Sequence, residues 1–562
     1  MARTTGIGYQ DFETIRKNNY FYIDKTSFLK EWWENGDSVT LITRPRRFGK
    51  TLNMSMTEQF FSVKYAGRRD LFEGLSVWED KKYRELQGTY PVISLSFANV
   101  KQNKYEGVRY RICQILMNLY SEMRFLLDGD LLMPKEKEYF RRISETMNEE
   151  DATMSLHYLS SFLHRYYGKK VIILLDEYDT PMQEAYVNGF WDELASFMRS
   201  LFNSAFKTNP CLERAIMTGI TRVSRESIFS DLNNLEVVTT TSEKYADSFG
   251  FTEEEVFAAL DEFGMADKKD EVKKWYDGFS FGHCSDIYNP WSILNCLDKG
   301  KTGTYWANSS SNSLVGKLIR EGSADVKREF ETLISGQSIV ASIDEQIVYG
   351  ELAGNEEGIW SLLLASGYLK VLRYDEDLTG EAEPVYELCL TNLEVRRMFR
   401  TMVKGWFRES RREYNEFIKA LLADDLKVMN ICMNRMALTM FSTFDTGNRP
   451  SEQAEPERFY HGFVLGLLVE LSDRYSVTSN RESGFGRYDV MLEPKRGDDG
   501  IIIEFKVQDA EDEETLTDTV KAALLQIERK QYGAVLVQKG VPKERIRKYG
   551  FAFCGKKVLI GR

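Results

Sequence analysis

The sequence predicts an α/β protein with three regions. Residues 1–250 should form a doubly wound parallel sheet, residues 251–447 a mostly helical middle region, and residues 448–562 a smaller α/β domain. The length of 562 residues is too great for one hydrophobic core. The first region alternates short apolar runs with segments of helical periodicity. A polar stretch with Pro450 and Pro456 then precedes the last region and is typical of a linker.

Four short apolar runs predict the parallel strands of the first region, and these are Val39–Ile42, Pro91–Phe97, Val171–Leu175 and Arg214–Thr218. The segments between them place apolar residues three and four apart, as amphipathic helices do. The predicted helices are Thr51–Val63, Val108–Arg124, Met154–Tyr167 and Trp191–Phe206.

Strand signals become rare after Thr252, which begins an acidic stretch typical of a helix N-terminus. We therefore expect helices through most of the middle region. In the last region, Tyr488–Leu492 and Ile501–Val507 flank a polar turn and predict a β-hairpin. The periodic segment Thr515–Arg529 predicts a helix after it.

Composition narrows the classes of function. A formal net charge of −12 argues against a protein that coats nucleic acid over its whole surface. Seven cysteines without a CxxC pair indicate reduced thiols in a cytoplasm. With four histidines and no zinc spacing, we expect any metal to have oxygen ligands, as Mg²⁺ does. No apolar run approaches the roughly 20 residues that span a bilayer, so we expect a cytoplasmic protein without a membrane partner.

A strand, a loop and a helix follow one another between residues 39 and 63, which is the context of a P-loop. The loop is Arg44-Pro-Arg-Arg-Phe-Gly-Lys-Thr51. Lys50 would reach the β- and γ-phosphates of ATP, and the Thr51 hydroxyl would bind Mg²⁺. Arg44 stands where a GxxxxGK[ST] loop has glycine, and we expect the charges of Arg46 and Arg47 to compensate. The backbone N–H groups that would face the phosphates belong to Phe48, Gly49, Lys50, Thr51 and Leu52.

The run Val171-Ile-Ile-Leu-Leu-Asp-Glu177 is an apolar strand that ends in two acids. Asp176 would hold Mg²⁺ through water or through Thr51, and Glu177 would polarise the attacking water. The alternative is a buried strand followed by a solvated acidic turn. The combination of this strand with the loop favours a nucleotide site over either pattern alone.

The end of the strand Arg214–Thr218 and the segment before the P-loop supply further candidates. Thr218, Thr221, Arg222 and Arg225 would sense the γ-phosphate at the carboxyl edge of the sheet, unless they form an ordinary polar loop. Tyr22-Ile-Asp-Lys-Thr26 could contact adenine or ribose.

The predicted hairpin brings Asp489 opposite the segment Glu504–Lys506. Because side chains alternate along a strand, Glu504 and Lys506 share a face, and Asp489 joins them if the register is right. Two carboxylates beside a lysine suit a divalent cation and phosphodiester hydrolysis, whereas a surface cross-strand ion pair is the alternative. Gln526 and Tyr532 are candidate accessory groups, and Glu457 could add a carboxylate from the helix expected before the hairpin.

Together these motifs resemble a bacterial family of AAA-ATPase-like proteins that carry a C-terminal PD-(D/E)XK nuclease-like domain. The resemblance covers nearly the whole chain and implies a P-loop ATPase module joined to a restriction-endonuclease-like domain. The motifs that carry it are Tyr22-Ile-Asp-Lys-Thr26, the loop Arg44–Thr51, Leu175-Asp-Glu-Tyr-Asp179, Gly219-Ile-Thr-Arg222, Trp275-Tyr-Asp-Gly278, Tyr288-Asn-Pro-Trp291, Tyr305-Trp-Ala-Asn308, and Gly486-Arg-Tyr-Asp489 with Glu504-Phe-Lys506.

The leading hypothesis is a cytoplasmic bacterial protein that hydrolyses ATP with Mg²⁺ and so controls a metal-dependent nuclease acting on DNA or RNA. The alternative is an ATP-dependent signalling or assembly switch whose C-terminal domain is a non-catalytic binding module. A motor would need ring-forming interfaces and a trans-acting arginine, which no motif supplies. The middle aromatic residues are interpreted as packing anchors between domains, with ligand contacts as the alternative, and these are Trp275, Tyr276, Trp291, Tyr305 and Trp306.

Overall fold

A computed structural model describes residues 3–221, 228–229, 232–307, 313–343, 356–375, 385–406, 411–444, 463, 466–467, 469–483, 486–508, 513–554 and 557–562. The strands in this part of the chain are β1 Val39–Thr43, β2 Val92–Ser96, β3 Val171–Asp176, β4 Leu212–Gly219, β5 Leu235–Val238, β6 Phe251–Thr252, β7 Phe279–Phe281, β8 Cys284–Tyr288, β9 Ile339–Ser342, β10 Leu369–Asp375, β11 Val385–Leu390, β12 Tyr475–Ser483, β13 Gly486–Pro494, β14 Gly500–Val507, β15 Ile546–Cys554 and β16 Lys557–Gly561.

The α-helices of the same residues are α1 Phe12–Lys17, α2 Ser27–Asn35, α3 Lys50–Phe61, α4 Lys81–Leu86, α5 Tyr105–Glu122, α6 Pro134–Arg142, α7 Glu149–Tyr167, α8 Thr180–Asn188, α9 Trp191–Phe202, α10 Glu253–Glu262, α11 Lys269–Tyr276, α12 Pro290–Lys299, α13 Ser313–Glu321, α14 Ala324–Ser335, α15 Glu356–Ala365, α16 Leu393–Trp406, α17 Arg411–Ala423, α18 Leu426–Phe444, α19 Leu516–Arg529 and α20 Ala534–Gln538. None of them combines the length and the apolar character needed to cross a membrane.

The chain divides into two compact units. The first unit consists of Met1–Ser311 and Val340–Val395, and the second consists of Asn312–Ile339 and Arg396–Arg562. Helices predominate in residues 251–447, as expected, although short strands also form two three-stranded sheets there.

A five-stranded parallel sheet forms the centre of the first unit, in the order β5-β1-β4-β3-β2. β1 and β3 are buried along their whole length, which is why they stand out in the sequence as continuous apolar runs. All four predicted strands occur within two residues of their expected bounds. The edge strand β5 was not predicted, since Glu236 interrupts its short apolar run and most of it is only half-buried.

The order of the strands positions the candidate nucleotide site. β4 lies between β1 and β3, so the carboxyl ends of these three strands meet at one edge of the sheet. The core beneath includes side chains from each strand, such as Ile42, Leu174 and Ile216, together with Trp32 and Phe60 from the helices. The loops after β1, β3 and β4 therefore emerge side by side from a rigid base.

The second unit contains a mixed five-stranded sheet in the order β12-β13-β14-β15-β16. β14 and β15 are parallel, and the other neighbouring pairs are antiparallel. The edge strand β16 is covered by α18, where Asn430 and Asn434 exchange hydrogen bonds with the backbone of Ile560 and Val558. These amides satisfy an edge that would otherwise be open to pairing with another chain.

Candidate functional site

The loop between β1 and α3 has the backbone of an anion-binding site. Gly49 is the N-cap residue of α3, and its φ of +87° is a conformation that favours glycine. Arg47 also has a positive φ, +66°. No side chain caps the helix, so the first-turn amides, including those of Lys50, Thr51 and Leu52, have no intrahelical acceptor and carry the positive end of the helix dipole.

Lys50 is folded back onto its own loop. Its ammonium group donates to the carbonyl oxygens of Arg44 and Pro45, at 2.7 and 2.8 Å. Burial lowers the pKa of Lys50 to about 8, and the carboxylates of Glu177, Asp179 and Asp176 oppose this shift. The ammonium group is therefore held by carbonyl groups of its own loop, next to the first turn of α3.

Side chains from one helix and one neighbouring strand meet at Asp176, the last residue of β3. One oxygen of its carboxylate, Oδ2, accepts from the Thr51 hydroxyl at 2.8 Å, and the other accepts from the Thr218 hydroxyl. Burial raises the pKa of Asp176, and the two hydroxyl groups oppose the shift. The structure thus brings together Thr51 from α3, Asp176 from β3 and Thr218 from β4, all of them predicted site residues.

Glu177 lies just beyond β3 in a strained conformation. Its φ is +52°, which is uncommon for a residue with a side chain and persists only where the surroundings impose it. Its backbone N–H donates to the Thr218 hydroxyl at 3.3 Å, and its carboxylate accepts from the Thr180 hydroxyl at 3.1 Å. The side chain is half-buried.

Asp179 is a buried acid without a predicted role, although it ends the motif Leu175–Asp179. Its Oδ2 accepts from the backbone N–H groups of Ile220 and Thr221, at 2.9 and 3.1 Å. Its Oδ1 has no hydrogen-bond partner in the described part of the chain. Burial raises the pKa of Asp179, and these backbone donors oppose the shift. Asp179 therefore connects the turn after β3 to the turn after β4. The predicted γ-phosphate sensors Arg222 and Arg225 lie outside the described residues.

Arg44 explains how this loop can begin without glycine. Its side chain is fully buried and donates to the backbone carbonyls of Thr43 and Thr239, at 3.0 and 2.5 Å. The guanidinium also lies over the ring of Phe281, 4.5 Å from its centroid. Burial lowers the pKa of Arg44 to about 9. The side chain fastens the start of the loop to the segment after β5.

The other loop side chains also have protein partners. Arg46 donates to the side-chain oxygen of Gln183 at 3.2 Å, and the guanidinium of Arg47 lies over Trp291, 4.4 Å from the ring centroid. Phe48 is buried against Phe279, with ring centroids 4.8 Å apart. For Phe48, only the backbone is available to a phosphate.

The segment Tyr22–Thr26, a candidate for base or ribose contacts, is engaged within the protein. Lys25 is buried and forms an ion pair with Glu255 at 2.7 Å. Asp24 accepts from the backbone N–H groups of Thr26 and Ser76, at 2.9 and 2.7 Å. These bonds support a structural role for the motif's charged groups.

The second candidate site lies on the hairpin β13–β14. Val490 pairs with Ile503 and Leu492 pairs with Ile501. Asp489 and Glu504 are the next residues on the two strands, beyond these pairs, and continuation of the same register would place their side chains on one face. Lys506 is two residues from Glu504 on β14 and shares its face.

Glu504 is buried, Asp489 is half-buried, and the two acids interact. Asp489 Oδ2 accepts from the backbone N–H of Phe505 at 2.7 Å. Burial, followed by the charge of Asp489, raises the pKa of Glu504 to about 8. Burial raises the pKa of Asp489 to about 6, and Lys506 opposes the shift in both acids. The structure therefore brings together all three residues predicted for this site.

Glu504 has a carboxylate oxygen that is available to bind a cation. It is only 2% exposed, and its Oε1 accepts from the side-chain amide of Gln526, which also donates to the Tyr532 hydroxyl at 3.2 Å. Its Oε2 has no hydrogen-bond partner among the described residues. Hard divalent cations prefer carboxylate oxygens, so the pair fits Mg²⁺ or Mn²⁺. No group of three or more acidic, histidine or cysteine side chains arranged for a metal occurs in the described residues, so water would complete the shell.

Two family models match the chain in the regions of these two sites. Residues 6–229 match the family described as predicted AAA-ATPase, and residues 455–562 match the PD-(D/E)XK nuclease superfamily. The matches confirm the resemblance drawn from the motifs. The chain carries an AAA-ATPase-like domain and, at its C-terminus, a PD-(D/E)XK nuclease superfamily domain.

A relative of similar extent occurs in Azotobacter chroococcum mcd 1, where it is described as an uncharacterized protein in the vnfD 5' region. It is 26% identical over an alignment of 488 residues, and the match covers 84% of each chain. The similarity therefore extends beyond either family match and includes the region between them.

Proposed function

We propose that the first unit binds and hydrolyses ATP with Mg²⁺, and that this cycle controls a metal-dependent nuclease in the second unit that acts on DNA or RNA. The main support for the proposed ATP site is the hydrogen bond from the Thr51 hydroxyl to Asp176. It lies next to the buried Lys50, which begins α3. We place the protein in the cytoplasm of a bacterium.

In the ATP site, Lys50 would exchange its two carbonyl partners for oxygens of the β- and γ-phosphates. Thr51 and Asp176 would hold Mg²⁺, which supplies neutralisation of the phosphate charge. Glu177 would orient the attacking water, since it lies at the end of β3 next to Asp176. Thr218 would keep Asp176 in place through the hydroxyl bond described above.

In the nuclease site, Asp489 and Glu504 would hold a divalent cation that activates water for phosphodiester hydrolysis. The unpartnered Oε2 of Glu504 supports this role. Gln526 would fix the Glu504 carboxylate through Oε1. Lys506 would stabilise the charge that develops on the scissile phosphate.

Cleavage of mixed nucleic acid by the purified full chain tests this proposal. We expect cleavage that needs Mg²⁺ or Mn²⁺ and disappears in Glu504→Ala and Lys506→Ala. ATP binding is measured in parallel. Binding of ATP without cleavage under any metal condition would contradict the nuclease role and favour the switch with a non-catalytic binding module.

A further inference from the structure

The carbonyl group of Arg46, in the middle of the P-loop, is held by side chains from a distant part of the first unit. The Trp306 indole N–H donates to it at 3.0 Å, and the Asn289 side-chain amide donates at 3.3 Å. These residues are 260 and 243 positions further along the chain. A carbonyl oxygen repels a phosphate, so holding it with two donors keeps it turned away from an anionic ligand.

The same two bonds bear on the strained part of the loop. The peptide between Arg46 and Arg47 is trans, so a carbonyl fixed on one side directs the N–H of Arg47 to the other. Arg47 has a positive φ, a strained conformation for a residue with a Cβ. Alternating backbone conformations of this kind align successive N–H groups into a concave anion site. The strain requires support, and Trp291 adds it by stacking on the Arg47 side chain.

Glu394 connects the segment that contains Trp306 to the start of α12, which follows Asn289. This residue is 1% exposed, and its carboxylate accepts from the backbone N–H groups of Tyr305 and Trp306, at 2.5 and 2.7 Å. It also accepts from the Ser292 hydroxyl at 2.7 Å. Asn289, in turn, caps α12 by accepting from the backbone N–H of Ser292 at 3.2 Å. A single buried carboxylate therefore fixes both donors of the Arg46 carbonyl.

We propose that Trp306 and Asn289 are positioning residues of the ATP site, which hold the P-loop in its anion-binding conformation before the nucleotide arrives. Their role deepens the proposed ATP binding and rests on it. Neither side chain needs to touch ATP. Because they order the loop in the free protein, less of the binding free energy is lost in ordering it when ATP binds.

Trp306→Phe in the full chain tests this role, because it removes the indole N–H and keeps most of the ring. We expect the Kd for a non-hydrolysable ATP analogue, measured by isothermal titration, to rise about three- to tenfold, the effect of one lost hydrogen bond. The stoichiometry should stay at the wild-type value. A fall in stoichiometry with an unchanged Kd would instead report a misfolded fraction and would overturn the positioning role.

Trp32→Phe is the matched control. Its buried indole donates to the Thr40 hydroxyl on β1 at 3.2 Å and not to a group of the loop, so the variant loses a comparable bond and should keep the wild-type Kd. Asn289→Asp supplies a second test: it keeps an acceptor for the Ser292 N–H but turns the donor to Arg46 into an acceptor. We expect at least the loss seen in Trp306→Phe.

Unchanged Kd values in both Trp306→Phe and Asn289→Asp would overturn the inference. The proposed ATP site has its own test, because Lys50→Ala must lose affinity for the same analogue. If Lys50→Ala binds normally, the ATP site itself is wrong; if only the two positioning variants bind normally, the ATP site stands and the support from Trp306 and Asn289 is unnecessary.

Discussion

Lys50 is the residue on which ATP binding should depend most directly, since it is the only lysine in the loop Arg44–Thr51. We predict that Lys50→Ala weakens ATP binding by about tenfold to a hundredfold, the usual effect of removing a charge-assisted hydrogen bond. Isothermal titration with a non-hydrolysable analogue measures it. Lys64→Ala, which changes an exposed lysine just after α3, is the control. Wild-type affinity and turnover in Lys50→Ala would remove the P-loop assignment.

Glu177 should separate turnover from binding. We predict that Glu177→Gln keeps ATP bound while hydrolysis slows by about a hundredfold or more, because the group that orients water is lost and Thr51 and Asp176 are untouched. Single-turnover hydrolysis, together with the titration above, gives both quantities. Normal turnover would move the catalytic role to another residue.

The residue scale also shows what the sequence could and could not predict. Lys50, Thr51 and Asp176 were predicted because residue type and the strand–loop–helix context are local signals, and the structure brings the last two into contact. The partners of Arg44 and Arg46 were not, because Thr239 and Trp306 follow them by 195 and 260 residues. A hydrogen bond of that separation leaves no periodicity or spacing in a single sequence.

At the scale of elements, the turn after β4 depends on a close approach that only glycine allows. A Cβ on Gly219 would lie 2.6 Å from the Tyr178 ring, which cannot move freely because its hydroxyl donates to the Thr221 carbonyl at 2.8 Å. We predict that Gly219→Ala destabilises the protein by about 1–3 kcal/mol, as overpacking does. The melting temperature measures the loss.

The control for this variant is Gly405→Ala, on α16, where a Cβ would meet no atom within 4 Å. That change should be neutral or stabilise by up to about 1 kcal/mol, because alanine favours a helix over glycine. Equal melting temperatures for the two variants would show that the close approach of Gly219 to the Tyr178 ring does not affect the stability of the protein.

The buried Glu504 carboxylate on the hairpin β13–β14 should lower the stability of the metal-free protein when it is ionised. The folded state raises the pKa of Glu504 from near 4.5 to about 8, so the stability linked to this group is present at low pH and falls as pH rises through that window. We predict that Glu504→Gln, in the absence of metal, melts higher than the wild type at pH 8 and gains less at pH 5. Thermal melts in EDTA at both pH values measure the difference.

Addition of Mg²⁺ should reverse that order. A cation that binds only the folded wild type raises its melting temperature by mass action, and Glu504→Gln lacks one of the two carboxylates that would hold it. If the difference in melting temperature between the wild type and Glu504→Gln stays the same at both pH values and with or without Mg²⁺, a functional role of Glu504 is contradicted.

The elements themselves were largely predictable from the sequence. Buried parallel strands such as β3 appear as unbroken apolar runs, and the hairpin appears as two runs around a polar turn. The register was only approximate, because the turn between Pro494 and Gly500 allows more than one pairing. What decides it is the burial of Val490, Leu492 and their partners on β14, a property of the folded sheet.

At the scale of the whole molecule, the P-loop lies in the first compact unit and the hairpin carboxylates lie in the second. We predict that Asp489→Ala abolishes Mg²⁺-dependent cleavage while ATP hydrolysis stays within about twofold of the wild type, since the two sites lie in different compact units and have no hydrogen-bond partner in common among the described residues. Glu514→Ala, which removes an exposed carboxylate from the same unit, should retain both activities. Parallel assays of phosphate release and nucleic-acid cleavage on one preparation make the comparison. Loss of both activities in Asp489→Ala would contradict independent sites and mean that the two units fold or work as one.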